Sequence, residues 1–244
     1  MIKQEFLNKI KANKKILDAK RPLTQSEIKT IRKWFDVTYT YHTNAIEGNT
    51  LTLGETRMIL EDGLTVGGKQ VKEILEAKNH QKTLDLLFEI VSGEKDLSEE
   101  IICNLHKKLL LDIDDENAGN YRKIQVYITG SEDLPPTAKE VSGLMKEFIK
   151  WYSDNKIKID LLELVALIHH KFVKIHPFID GNGRIARLLV NLILSKNGYP
   201  PIIIPIIRRQ EYIEAIKKGE ESFALFMLDI INVNLEDYLR MTEE

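Results

Sequence analysis

Apolar residues recur at three- and four-residue spacing along most of the chain, the pattern of helices that bury one face rather than of strands that alternate. Leu161, Leu164 or Val165, Ile168, Phe172 and Ile175 make one such stripe. The helix that carries it must stop at His176, because Pro177 disfavours helical backbone in the residue before it. The pattern resumes in Leu188, Leu189, Leu192 and Ile193 and is closed by Gly198, Pro200 and Pro201, so residues 160–198 predict a helix, a loop and a second helix. Upstream, residues 24–46 predict one or two helices that start within a residue or two of Thr24, with Glu27 three positions on. Residues 70–92 and 98–111 predict two more, separated by the polar run Ser92-Gly93-Glu94-Lys95-Asp96. Gln125 to Thr129 alternates at period two and leads into Gly130-Ser131-Glu132-Asp133, one arm of a short hairpin. The expected fold is all-α, a helical bundle with that one hairpin. The polar run places a soft boundary between an N-terminal helical region, 1–95, and a core, 96–220, with a C-terminal helix over 221–244.

Composition narrows the classes. The chain has 244 residues, 43% hydrophobic and 30% charged, which fits a soluble globular protein. Its 35 Lys and Arg nearly balance 37 Asp and Glu, so no general positive field would hold it on nucleic acid or anionic lipid, and any anion site must be local. The most apolar run, Pro200 to Ile207, has eight residues and three prolines, against the ~20 apolar residues of a membrane helix. The first ten residues mix charge into every turn and read as no export signal, so a cytoplasmic location is expected. Cys103 is the sole cysteine; it reads as a small buried hydrophobe and excludes an intrachain disulfide.

The chemistry concentrates in His176-Pro-Phe-Ile-Asp180-Gly-Asn182-Gly-Arg184-Ile-Ala-Arg187. Two glycines flank Asn182 and permit tight turns with exposed N–H groups, while the following helix turns its positive end toward the loop. Arg184 and Arg187, three apart, reach one side and suit bidentate contact with phosphate oxygens. Asp180 offers the hard oxygen that Mg2+ takes in a phosphate complex, and His176 stands at the opposite lip as a proton acceptor. The glycines follow a helix and no G-x-x-x-x-G-K-[ST] run exists, so the loop is neither a P-loop nor a Rossmann turn. A zinc site from His169, His170, His176 and Asp180 is disfavoured because adjacent histidines point to different sides of a helix. The residues alone leave one bland alternative open: a solvated turn with a capping aspartate and two surface arginines.

These twelve residues match the signature of the Fic family, H-P-F-x-D-G-N-G-R-x-x-R, at every specified position. The chain resembles that family from about residue 40 to 215, including Leu105-His106, Gly119-Asn120-Tyr121-Arg122, His169 and Gly198-Tyr199-Pro200-Pro201. The resemblance implies a protein adenylyltransferase, an AMPylator that moves AMP from ATP, with Mg2+, to a Ser, Thr or Tyr hydroxyl of a target protein and releases pyrophosphate. It implies that His176 is the general base and Asp180 the Mg2+ ligand. Asn182 would hold an α-phosphate oxygen, amides at Gly181 and Gly183 line the anion hole, Arg184 takes the β-phosphate and Arg187 the γ-phosphate. Phe178 would be a buried anchor. Relatives that phosphorylate carry lysine where this chain has Gly183, which favours AMP transfer.

The segment Thr43-Asn44-Ala45-Ile46-Glu47-Gly48 resembles the family's inhibitory motif, [ST]-x-x-x-E-[GN], in its class II position ahead of the signature. By that resemblance Glu47 pairs with Arg187 and occupies the γ-phosphate position. Val126, Tyr127, Ile128, Thr129 and Gly130 correspond to the family flap, which registers a target segment by main-chain pairing. A homodimer is a family habit. Two other readings stay open: the same site removing AMP, with Glu47 orienting a water, and a nucleotide-binding regulatory module without turnover. Tyr212 is a stacking wall for adenine or a core tyrosine; His106 and His169 are expected to settle helix packing.

Overall fold

The computed structural model describes residues 2–127 and 134–242. Among them stand ten α-helices, a short 3-10 turn at Ile206–Arg208 and no strand. The helices are α1 (Ile2–Ala19), α2 (Gln25–Ile46), α3 (Leu53–Glu61), α4 (Val71–Ser92), α5 (Glu99–Leu109), α6 (Ala138–Asn155), α7 (Leu161–Ile175), α8 (Asn182–Lys196), α9 (Arg209–Lys218) and α10 (Glu220–Met241). None is long and apolar enough to cross a membrane.

Helix α2 is a single helix, and its start resolves at Thr24. The Thr24 side chain accepts from the Glu27 amide while the Glu27 carboxylate accepts from the Thr24 amide, a reciprocal cap that satisfies two donors at once. At the centre lies α8, with twelve of its fifteen residues buried. It pairs with α7 and is flanked by α4, α5 and α2, while α10 lies across α7 and carries α1 on its other side. One apolar cluster runs through all of these, from Leu7 to Tyr238. A smaller one, Leu51, Ile59 and Ala77, fixes α3 against α4.

The expected hairpin is not formed where it can be followed. Gln125 to Tyr127 runs as irregular backbone, and the Gln125 side chain, rather than a ladder, reaches Pro135 O at 3.1 Å. Pro135 and Pro136 have no N–H to offer a strand partner, which disfavours pairing on the return. Ile128, Thr129 and Gly130 lie outside the described residues.

Two histidines are buried in neutral form, His80 between α4 and α2, with Nδ1 2.8 Å from Thr40 Oγ1, and His106 under Phe178 of the loop between α7 and α8. Burial, with Arg184 and Arg187 adding, pushes His80 down to about 3; burial, opposed by the Asp180 carbonyl, pushes His106 down to about 4. In the unfolded chain both titrate near ~6.5. Their stabilisation is therefore complete above that value and falls as pH drops through it, because the unfolded chain takes up protons that the folded one refuses. Between pH 7 and 5 the two histidines together should lower the unfolding free energy by about 4 kcal/mol. Urea denaturation at both pH values measures this, and an unchanged midpoint would contradict it.

Candidate functional site

The loop is shaped from both ends. His176 caps α7 in the left-handed region, φ 52° and ψ 59°, which turns the chain off the helix axis before Pro177. Phe178 then inserts fully into the core and stacks flat on His106, with centroids 3.6 Å apart. Asn182 closes the loop around it: its Oδ1 accepts from the Phe178 amide and its Nδ2 donates to Phe178 O, each at 2.9 Å. Gly181, at φ 79°, forms the N-cap of α8 in a conformation suited to glycine. The first amides of α8, those of Asn182, Gly183 and Arg184, have no carbonyl to reach within the helix and face the loop.

The bland alternative fails on burial. Arg184 is 1% exposed and Arg187 3%, so neither is a surface arginine. They differ in how far they are satisfied. Arg184 lies 3.3 Å from both Glu76 Oε1 and Asp180 Oδ2, yet its Nε and Nη1 make no hydrogen bond among the described residues. It is a buried cation with donors to spare. Arg187 is nearly saturated: Nε donates to Thr43 Oγ1 (2.8 Å), Nη2 to Thr43 O (3.0 Å) and to Glu47 Oε1 (2.6 Å), and Nη1 to Tyr212 Oη (3.3 Å). Burial works against its charge, but Glu47, Tyr212 and Tyr39 raise its pKa above the usual arginine value.

Glu47 is held in place by the end of α2. The Gly48 amide donates to Ala45 O and the Asn49 amide to Asn44 O, the paired bonds of a Schellman ending, with Gly48 at φ +98°. The turn projects Glu47 across the start of α8. There Gly183 leaves the room it needs, since a Cβ at that position would fall on Glu47 Oε1 and lie 3.1 Å from Arg187 Nη1. Thr43 and Glu47 thus meet Arg187, and Gly48 makes the turn that ends α2.

Asp180 presents a side chain 47% exposed, with Oδ1 accepting from the Gly181 amide at 2.6 Å. Burial pushes its pKa up, but Arg184, that amide and Lys72 outweigh burial and keep it below the usual value. One ionised carboxylate beside an open helix end suits Mg2+, which takes one or two protein oxygens and completes its shell with phosphate and water. Among the described residues no three His, Cys, Asp or Glu side chains group to hold a metal by themselves. His176 is partly buried, with Nδ1 3.3 Å from Val173 O, which leaves Nε2 for the loop. Burial lowers its pKa, with Arg122 adding and the Val173 carbonyl, Glu47 and Asp180 opposing, so the imidazole is neutral near pH 7.

Several side chains stand at the site without any sequence signal that pointed to them. Glu76 on α4 faces Arg184 with Oε1 and accepts from Asn49 Nδ2 with Oε2 at 2.9 Å; Lys72, one turn earlier, lies 3.9 Å from Asp180. Tyr212 is not an adenine wall. It is 4% exposed, with its hydroxyl between Arg187 and His169 Nε2 (2.9 Å), because a phenol so buried needs polar partners and finds them behind the arginine. His106 does more than pack: Nδ1 accepts from the Gly119 amide and Nε2 lies 3.0 Å from Asp180 O. Of the flap residues, Val126 and the strongly exposed Tyr127 are described and lie beyond Arg122; the others are not.

Comparison with known proteins agrees with this geometry. The model of the Fic/DOC family matches residues 96–194. Protein adenylyltransferase fic-1 of Caenorhabditis elegans is 42% identical over 177 residues, 71% of this chain and 34% of that protein. Protein adenylyltransferase Fic of Drosophila ananassae is 36% identical over 209 residues, 84% of this chain and 42% of that one. A solved segment of C. elegans Fic-1 with a glutamate-to-glycine substitution superposes with a TM-score of 0.86 at 30% identity, covering 98% of this chain and 72% of that segment. The chain spans between a third and a half of the length of these curated relatives.

Proposed function

Because the chain belongs to the Fic/DOC family, we propose that it is a protein adenylyltransferase, restrained by Glu47, that works at the loop between α7 and α8. The observation that carries this reading is the pair of buried arginines at the start of α8, one with unsatisfied donors and one closed by a carboxylate. Nothing in a purely structural loop calls for a buried, under-satisfied guanidinium.

The loop divides the labour of phosphoryl-type transfer, which is positioning and charge stabilisation. The amides at the start of α8 and the second N–H of Asn182 Nδ2 face the α-phosphate. Arg184 takes the β-phosphate with the donors it has free, and Arg187 takes the γ-phosphate once Glu47 leaves. Asp180 holds Mg2+, which when bound draws charge from the phosphate oxygens. His176 Nε2 accepts the proton of a Ser, Thr or Tyr hydroxyl as that oxygen bonds to the α-phosphorus. The bond from the α-phosphorus to the oxygen bridging the α- and β-phosphates breaks, and pyrophosphate departs. Val126 to Gly130, within the stretch 123–137, correspond to the flap that registers the acceptor segment.

The test is labelling with ATP tagged at the α-phosphate, in Mg2+, read as AMP mass added to protein. A Glu47→Gly chain that binds ATP and labels neither itself nor any protein of a lysate would overturn the proposal.

A further inference from the structure

The short segment Gly119 to Arg122 lies outside the signature loop, and the reading above gives it no part. It nevertheless joins three places. Arg122 is 3% exposed, and among the described residues its fork meets carbonyls rather than carboxylates. Nε donates to His176 O at 2.8 Å, Nη1 to Ile124 O at 3.2 Å and Nη2 to Pro136 O at 2.5 Å. Its own amide donates to Pro177 O at 2.9 Å. One residue thus fixes the two carbonyls that follow the left-handed turn at His176 and both ends of the stretch 123–137. The segment is braced at its other end by the Gly119 amide on His106 Nδ1, whose ring also meets Asp180 O.

A buried cation is costly to desolvate, and a side chain that serves only packing has no need of one. The planar five-donor fork is what this junction uses, since three diverging carbonyls must be met from one point. Lysine would carry the same charge without the fork.

We propose that Arg122 is a positioning residue for transfer: its guanidinium holds the backbone of the general base and both ends of the acceptor-docking stretch in one register. It touches none of the groups that hold phosphate. The inference rests on the adenylyltransferase reading for the word acceptor, but the clamp itself does not.

In the Glu47→Gly background, Arg122→Lys should cut the rate of labelling at saturating ATP by about 100-fold, the effect of an ångström-scale misplacement. The KM for ATP should stay within about threefold of its parent, because the α8 end is untouched. Retention of the rate, or a KM for ATP that rises in step with the loss, would overturn the proposal. Hydrogen exchange of the Arg122→Lys chain needs no activity: faster exchange is expected at 123–127, at 134–137 and around Phe178, with α8 unchanged, and equal exchange at those ends overturns the clamp. If Glu47→Gly labels nothing, the adenylyltransferase reading fails while exchange still decides the clamp. Should the lysine variant not fold, the Arg122 Nε–H of the unaltered chain decides by NMR, slow exchange with water supporting the bond to His176 O and rapid exchange excluding it.

Discussion

Glu47→Gly should raise AMP transfer by one to two orders of magnitude. The carboxylate accepts from Arg187 Nη2 at 2.6 Å, a charge-assisted bond that contributes about 1.5–3 kcal/mol. An ATP γ-phosphate must displace it to reach the same guanidinium, so removing it should favour the productive complex by about 10- to 150-fold. Arg187 does not lose its place in the variant, because Thr43 still accepts through Oγ1 and its carbonyl, and Tyr212 through its hydroxyl. The Glu47 side chain is itself 37% exposed, which limits what the fold loses. A decrease of a few degrees in Tm, about 1 kcal/mol, is expected. The rate of automodification with α-labelled ATP measures the gain; equal rates in the two chains, with ATP bound by both, would remove Glu47 from the regulation of this site.

His176→Ala, placed in the Glu47→Gly chain, should lower the rate by about 10²- to 10⁴-fold, the usual contribution of a positioned base. ATP affinity should be unchanged, since the proposed phosphate contacts come from α8 and its arginines and the imidazole stands at the opposite lip. The pH profile supplies a second reading. Burial holds the His176 pKa below its ordinary value, so the neutral base persists into mild acid and the acidic limb of the rate should have its midpoint below about 6.5. A limb centred above that value, or a rate surviving in the alanine variant, would assign the proton to another group.

Much of this site was legible because its parts lie close together in sequence. The stripe from Leu161 to Ile175, Pro177 and the glycines around Asn182 announce helix, loop and helix, and the chain folds so. Thr24 and Glu27 cap α2 by a local rule that needs no tertiary contact. Glu76 and Arg184 are different: they meet across more than a hundred residues, and α4 displays no pattern that sets one glutamate apart from its neighbours. Tyr212 left two readings open for a related reason. An aromatic residue near a nucleotide loop suggests stacking, whereas its hydroxyl serves a buried arginine and a histidine that periodicity cannot bring together. Alternation from Gln125 to Thr129 argued for a strand; Gln125 to Tyr127 is irregular backbone, beside a return whose Pro135 and Pro136 lack donors, and Ile128 and Thr129 lie outside the described residues.

The two signature arginines stand on the inward face of the central helix, so the parts proposed to recognise phosphate are also parts of the interior. This sets what descent with modification can change. A lineage that dropped either guanidinium would open a cavity beside α8 and take a partner from Glu76 on α4 or from Thr43 on α2, so those neighbours would have to change with it. Ile124, Tyr127 and Leu134, by contrast, are exposed and can drift one residue at a time. On the proposed function, new targets are therefore within reach of single substitutions, while the donor molecule is inherited with the fold.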